Sequence, residues 1–105
     1  MSSIKVKIKK ITDLNSFPGW VESSFIDIYN AEQVFNEKIP VVTSENLTRS
    51  SIFPMPGFIE CKIIKESFDK NNKIYYTVTT EDPFGISNID GKFIFDVYPS
   101  QIIND

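Results

Sequence analysis

The feature that most constrains the fold of this sequence is residues 56–81, where apolar and polar residues alternate on both sides of a polar segment. Alternation with a period of two is the pattern of a strand with one buried face. The alternating apolar positions are Ile59, Cys61 and Ile63 in the first half and Ile74, Tyr76 and Val78 in the second. Between them, residues 67–72 supply Asp and Asn, which tolerate the backbone of a tight reversal. The stretch therefore predicts a long β-hairpin.

Four further segments, at 3–11, 20–28, 32–39 and 92–98, have strand-like alternation or are rich in β-branched and aromatic residues. Turn signals separate them, including Asn30 and the Asp90-Gly91 pair. We expect no long helix, only a single helical turn over 43–47. Six strands in a meander-like order predict an all-β fold, either a small antiparallel barrel of the SH3-like or OB-like kind or a compact sandwich. A single domain over residues 1–105 accounts for the whole length.

The charge of the chain argues against a nucleic-acid partner. Its formal net charge is -3, and Arg49 is its one arginine, whereas nucleic-acid binding usually needs a basic face that carries arginine. Lys5, Lys7 and Lys9 do share one face of the first strand. We interpret them as the solvated face of an edge strand, where lysines discourage pairing with another sheet.

The residue content also narrows the chemistry. The chain has no histidine, which removes the commonest general base and metal ligand. Its one cysteine, Cys61, cannot build a zinc site alone, and its four glycines stand singly at turns, so no phosphate-binding loop is expected. We expect no cofactor, no metal and no enzymatic activity. Chemistry carried by a pair of carboxylates stays open as an alternative. The first candidates are Glu22 and Glu60, which stand in equivalent places after two Pro-Gly pairs.

The sequence predicts a soluble, cytoplasmic protein. The N-terminal residues contain no apolar run of signal-peptide length, and nowhere does an apolar run approach the length of a membrane span. A lone thiol at Cys61, within an apolar strand face, is typical of a reducing compartment.

The best candidates for a partner-binding surface are large apolar residues beside turns, because tyrosine and tryptophan dominate interface hot spots. The apolar loop at 52–56, which is stiffened by prolines, is a second source of candidate partner-binding residues, since prolines reduce the entropy lost on binding. Nearby carboxylates would add charge complementarity. The predicted partner-binding residues are Trp20, Phe53, Met55, Phe84 and Tyr98, with Glu22, Glu81 and Asp82.

Several short elements together resemble a group of small bacterial all-β proteins without a settled activity. They are Pro-Gly-Trp-Val-Glu at 18–22, Glu-Lys-Ile-Pro-Val-Val-Thr at 37–43, Pro-Gly-Phe-Ile-Glu-Cys at 56–61, Thr-Glu-Asp-Pro-Phe-Gly at 80–85 and Asp-Gly-Lys-Phe at 90–93. These are mainly turn and core signals, so the resemblance implies a fold rather than an activity. In size, acidity and strand content the chain is also similar to immunity proteins of bacterial toxin systems.

The leading functional hypothesis from the sequence is a non-catalytic protein-binding module. Its most concrete form is an immunity-type inhibitor, whose acidic, aromatic-bearing face would cover the basic active site of a bacterial toxin. Two alternatives from other classes stay open. One is a barrel that binds a small ligand or acts through a carboxylate pair, and the other is a structural or oligomerisation module.

Overall fold

The computed structural model describes residues 1–104 and is built almost entirely of antiparallel β-structure. Its strands are β1 (Ser2–Asp13), β2 (Trp20–Ile26), β3 (Glu32–Lys38), β4 (Met55–Phe68), β5 (Ile74–Thr79), β6 (Ile94–Val97) and β7 (Ile102–Asn104). One four-residue helix, α1 (Ile39–Val42), and one 3-10 turn, Pro99–Gln101, complete the regular structure of this part of the chain. The prediction of an all-β fold with little helix is confirmed.

Six strands follow one another across a single sheet in the order β3-β2-β1-β4-β5-β6, and β7 pairs with the start of β1. The sheet curls into a half-barrel. Two backbone hydrogen bonds span its open side. The Ile28 amide donates to the Asp96 carbonyl at 3.1 Å, and the Ile89 amide donates to the Val34 carbonyl at 2.9 Å. The half-barrel is therefore held partly closed by turns, not by a continuous strand ladder.

The prediction that β1 is an edge strand is wrong, because β1 lies in the middle of the sheet between β2 and β4. Its lysines are nevertheless exposed, as expected. A register shift between Ile8 and Lys10 inserts one extra residue, so that Lys9 and Lys10 both face solvent and Ile11 returns to the core side. Alternation in the sequence reports which face is buried, but it does not report where the strand lies in the sheet.

The centre of the half-barrel is filled by three phenylalanine rings from β2, β3 and β6. Phe25, Phe35 and Phe95 are buried, and their ring centroids lie 5.4 to 5.9 Å apart. Phe58 is a strand phenylalanine that does not join this core, since its side chain is 42% exposed. Its neighbour Ile59 takes the inward position, so the alternation of β4 turns Phe58 outward.

Three reversals in the described part of the chain have the same five-residue construction. The first residue is Asp or Asn, and its Oδ1 accepts hydrogen bonds from the backbone amides two and four positions later. The fourth residue has a positive φ, which Asn and Gly adopt at low cost. The first residues are Asp27, Asp69 and Asn88, and the fourth are Asn30 (φ 62°), Asn72 (φ 62°) and Gly91 (φ 79°).

The single helical turn lies earlier in the chain than predicted. It is α1, not residues 43–47, and Pro40 stands in its first turn, where a missing amide costs nothing. Burial of Ile39 and Val42 holds α1 against β4. The strand can approach because Gly57 has no side chain, since a Cβ there would lie 2.9 Å from the Val42 carbonyl oxygen.

Candidate functional site

The predicted partner-binding residues fall in separate parts of the fold. Trp20 and Glu22 lie on the outer face of β2, on the opposite side from buried Val21. The ammonium group of Lys38 on β3 lies 5.8 Å from the centroid of the Trp20 ring, and Glu22 is opposite Lys10 on β1. These two residues therefore belong to a polar and aromatic patch on β1 to β3.

Phe53 and Met55 lie where the chain enters β4. Both side chains are half-buried and pack against the hydrophobic core, and Met55 is opposite Ile8 on β1. Part of their apolar surface is therefore already used within the fold.

Phe84, Glu81 and Asp82 share the exposed turn that follows β5. The Gly85 amide donates to the Glu81 carbonyl at 2.7 Å, and Gly85 takes a φ of 65°. Phe84 is 62% exposed. This turn carries an aromatic side chain next to two carboxylates, which is the combination predicted for a partner-binding surface.

Tyr98 alone among the predicted residues lies with other aromatic side chains in a surface groove of about 680 Å³. We call this the tyrosine groove. Its aromatic residues are Tyr29, Phe68, Tyr75 and Tyr98, and its other lining residues are Ile28 and Asn30 on one side and Asp69, Lys70 and Asn71 on the other. It thus gathers three of the four tyrosines in the sequence.

Two of the matching five-residue turns form the walls of the tyrosine groove. Tyr29 is the third residue of the turn that begins at Asp27. The amides of Tyr29 and Ala31 donate to Asp27 Oδ1, and the Asn30 amide donates to the Asp27 carbonyl. Phe68 ends β4 immediately before the turn that begins at Asp69. The local turn chemistry therefore presents one exposed aromatic ring from each side.

The floor of the groove comes from β5 and from the end of β6. Val78 and Val97 point into the core, and alternation along each strand therefore directs Tyr75 and Tyr98 outward. Both tyrosines are half-buried, which restricts the motion of their rings. The Lys73 ammonium group lies 4.9 Å from the centroid of the Tyr98 ring, a cation–π contact.

Polar contacts fix the Tyr29 ring at the rim. Its hydroxyl donates a 2.5 Å hydrogen bond to Asp96 Oδ2, while Asp96 Oδ1 accepts one of 2.6 Å from the Thr77 hydroxyl. The hydrogen bond to Asp96 is the main reason that the pKa of Tyr29 rises from 10.0 to about 12, and burial and nearby negative charge add to it. The phenol is therefore neutral at physiological pH and remains a donor.

Three residues of this surface were not predicted from sequence, namely Tyr29, Phe68 and Tyr75. A usable signal was present for two of them, because Tyr29 lies within and Phe68 next to a segment rich in Asp and Asn. That these two turns meet Tyr75 and Tyr98 depends on strand pairing between distant parts of the chain, which no local pattern reports.

The carboxylates singled out in the sequence do not form a pair. Glu22 lies on β2 and Glu60 on β4, with β1 between those strands. Within residues 1–104 there is no group of three His, Cys, Asp or Glu side chains placed to hold a metal ion. The same residues include no helix that has both the length and the apolar character to cross a membrane.

Comparisons with protein-family models, with curated proteins and with solved structures found no match for this chain.

Proposed function

We propose that this protein is a non-catalytic binding module and that the tyrosine groove captures a protein partner. The observation that carries the proposal is the grouping of Tyr29, Phe68, Tyr75 and Tyr98 around one groove, with Tyr29 65% and Phe68 61% exposed. Exposed aromatic rings that cluster on one surface are typical of interaction sites. Tyrosine is also among the residue types that contribute most to interface hot spots.

The groove is held in shape before any partner arrives. Tyr29 is fixed by its hydrogen bond to Asp96, and Tyr98 by its contact with Lys73. The two wall turns are closed by the carboxylates of Asp27 and Asp69. A preformed surface loses less conformational entropy on binding, so more of the contact energy appears as affinity.

An immunity-type inhibitor of a bacterial toxin is the most concrete form of this proposal. A net charge of -3 would favour association with a basic active site, since complementary charge raises the rate of encounter. We favour the binding of a protein partner over the binding of a small ligand. Phe25, Phe35 and Phe95 fill the centre of the half-barrel, where a cavity for a small ligand would be needed.

A matched pair of variants tests which surface binds. Phe68→Ser removes an aromatic ring from the tyrosine groove, and Phe84→Ser removes one from the turn that carries Glu81 and Asp82. The two rings are 61% and 62% exposed, so the two changes remove similar exposed apolar surface at different places. Tagged wild-type protein and both variants would be used to capture partners from a lysate of the source cells, with stoichiometry measured by mass spectrometry.

We expect one stoichiometric partner that is retained by Phe84→Ser and lost by Phe68→Ser and by Tyr98→Ala. Circular dichroism and urea unfolding would establish that each variant is folded. Loss with Phe84→Ser alone would instead place the partner on the turn selected from the sequence. Capture of no partner by folded wild-type protein would contradict the binding function itself.

A further inference from the structure

A second surface, on the outer face of the three strands at the middle of the sheet, combines exposed lysines with exposed apolar side chains. Lys5 on β1 is directly opposite Phe58 on β4, which is 42% exposed. Lys5 and Lys7 also line a groove of about 430 Å³ together with Ile26, which is 48% exposed. We call the surface formed by Lys5, Lys7, Ile26 and Phe58 the basic face. It shares no lining residue with the tyrosine groove.

The lysines of the basic face form no salt bridge within the described part of the chain, and Glu32, which lines the same groove, is already paired with Lys9. Within residues 1–104 the only salt bridge joins Lys9 to Glu32, and neither Lys5 nor Lys7 takes part in a side-chain hydrogen bond. Protection of a sheet edge does not explain them, because β1 is a central strand. Their charges are therefore available to pair with an acidic group from outside the described part of the chain.

We propose that the basic face binds an extended acidic segment of a partner protein. Residues two apart on a strand are about 7 Å apart, so carboxylates at every second position of an extended segment would match the spacing of Lys5 and Lys7. Exposed Ile26 and Phe58 flank the lysines on β2 and β4 and would contact apolar side chains of the same segment. Charge complementarity supplies orientation, and burial of the apolar side chains adds affinity.

The composition of this surface favours a protein segment over other polyanions. Nucleic-acid sites rely on arginine for bidentate phosphate contacts, and the basic face contains none. Its two lysines are flanked by the exposed apolar side chains of Ile26 and Phe58. Both properties suit a short acidic stretch with apolar residues better than a uniformly charged backbone.

The test uses two short fluorescent peptides. In the first, glutamate occupies every second position, and valine or serine occupies the positions between. In the matched second peptide, glutamine replaces every glutamate. Fluorescence anisotropy would measure the binding of each to the full chain at low and at physiological salt. The variant is Lys5→Gln combined with Lys7→Gln. The control, Lys65→Gln combined with Lys92→Gln, removes the same charge from two exposed lysines outside the basic face.

We expect the glutamate peptide to bind, with an affinity that falls as salt increases, and the glutamine peptide to bind at least tenfold more weakly. The Lys5/Lys7 variant should weaken binding roughly threefold to tenfold, which corresponds to two surface ion pairs, while the control variant should change it less than twofold. Equal binding of both peptides, or an equal loss in both variants, would overturn the proposal. Binding of anionic lipid vesicles or single-stranded DNA that exceeds peptide binding and disappears in the Lys5/Lys7 variant would also overturn it.

Discussion

The hydroxyl of Tyr29 donates a 2.5 Å hydrogen bond to the carboxylate of Asp96, and this bond joins the turn after β2 to β6 across the open side of the half-barrel. The backbone carbonyl of Asp96 accepts a second hydrogen bond from Ile28 in the same turn. Asp96 thus helps to hold the half-barrel closed and also fixes the Tyr29 ring at the rim of the tyrosine groove. Stability of the fold and shape of the candidate site are coupled at this point.

We predict that Tyr29→Phe lowers the free energy of unfolding at neutral pH by about 0.5 to 1 kcal/mol, since it removes one solvent-accessible hydrogen bond and keeps the ring. The folded state raises the pKa of Tyr29 from 10.0 to about 12. A raised pKa means that this contribution is fully present below pH 10 and is lost as pH rises through 12. Urea unfolding at neutral pH and near pH 11 would measure both effects.

The control for that experiment is Tyr75→Phe, which removes a phenol from the same groove. We expect wild type and Tyr75→Phe to lose stability between the two pH values to a similar extent, and Tyr29→Phe to lose less. An equal pH dependence in all three proteins would show that the bond to Asp96 does not persist in solution.

The turn at 69–73 predicts opposite outcomes for two small substitutions at Asn72. Its φ of 62° is a left-handed conformation, which costs an ordinary L-residue about 1 kcal/mol or more but costs glycine very little. Asn72→Ala should therefore lower the free energy of unfolding by about 1 kcal/mol, and Asn72→Gly should leave it nearly unchanged. Chemical denaturation measures both, and equal losses in the two variants would contradict this account of the turn.

Two adjacent buried serines provide a test of the core. Ser23 Oγ lies on the core side of β2 and has no hydrogen-bond partner among residues 1–104, whereas the Ser24 hydroxyl donates to Glu32 at 3.0 Å. Removal of an unpaired buried hydroxyl should stabilise, so Ser23→Ala is expected to raise the free energy of unfolding by up to about 1 kcal/mol. Ser24→Ala should lower it by about 1 kcal/mol because it removes a hydrogen bond to a charged group. If the two variants changed the free energy of unfolding in the same direction, the assignment of Ser23 as unpaired and Ser24 as hydrogen-bonded would be refuted.

The rate at which a thiol reagent modifies Cys61 measures the opening of the sheet. The Cys61 side chain is fully buried, and burial, with a smaller contribution from the Glu60 charge, raises the pKa of its thiol to about 11. The reactive thiolate is therefore scarce in the folded state. We expect a thiol reagent at mildly alkaline pH to modify Cys61 only through unfolding, and the rate to rise with urea in parallel with the unfolded fraction. Modification of the native protein as fast as a free cysteine would contradict this prediction.

The sequence alone indicated six of the seven strands in the described part of this protein and several of the turns between them. Alternation at Ile59 and Cys61 and the short-range chemistry of Asn30 and of the Asp90-Gly91 pair are local signals, because side-chain direction along a strand and a positive φ depend on neighbouring residues only. The all-β class followed from them. Of the residues that line the tyrosine groove, Tyr98 alone was predicted from the sequence as a site residue.

Only the tertiary structure decided where each strand lies and which side chains meet. It placed β1 in the middle of the sheet and made its lysines part of a broad face. It also brought Tyr29, Phe68 and Tyr98 around one groove from distant parts of the chain. Strand order and register are set by pairing and burial summed over the whole molecule, and neither quantity is contained in the periodicity of any single segment.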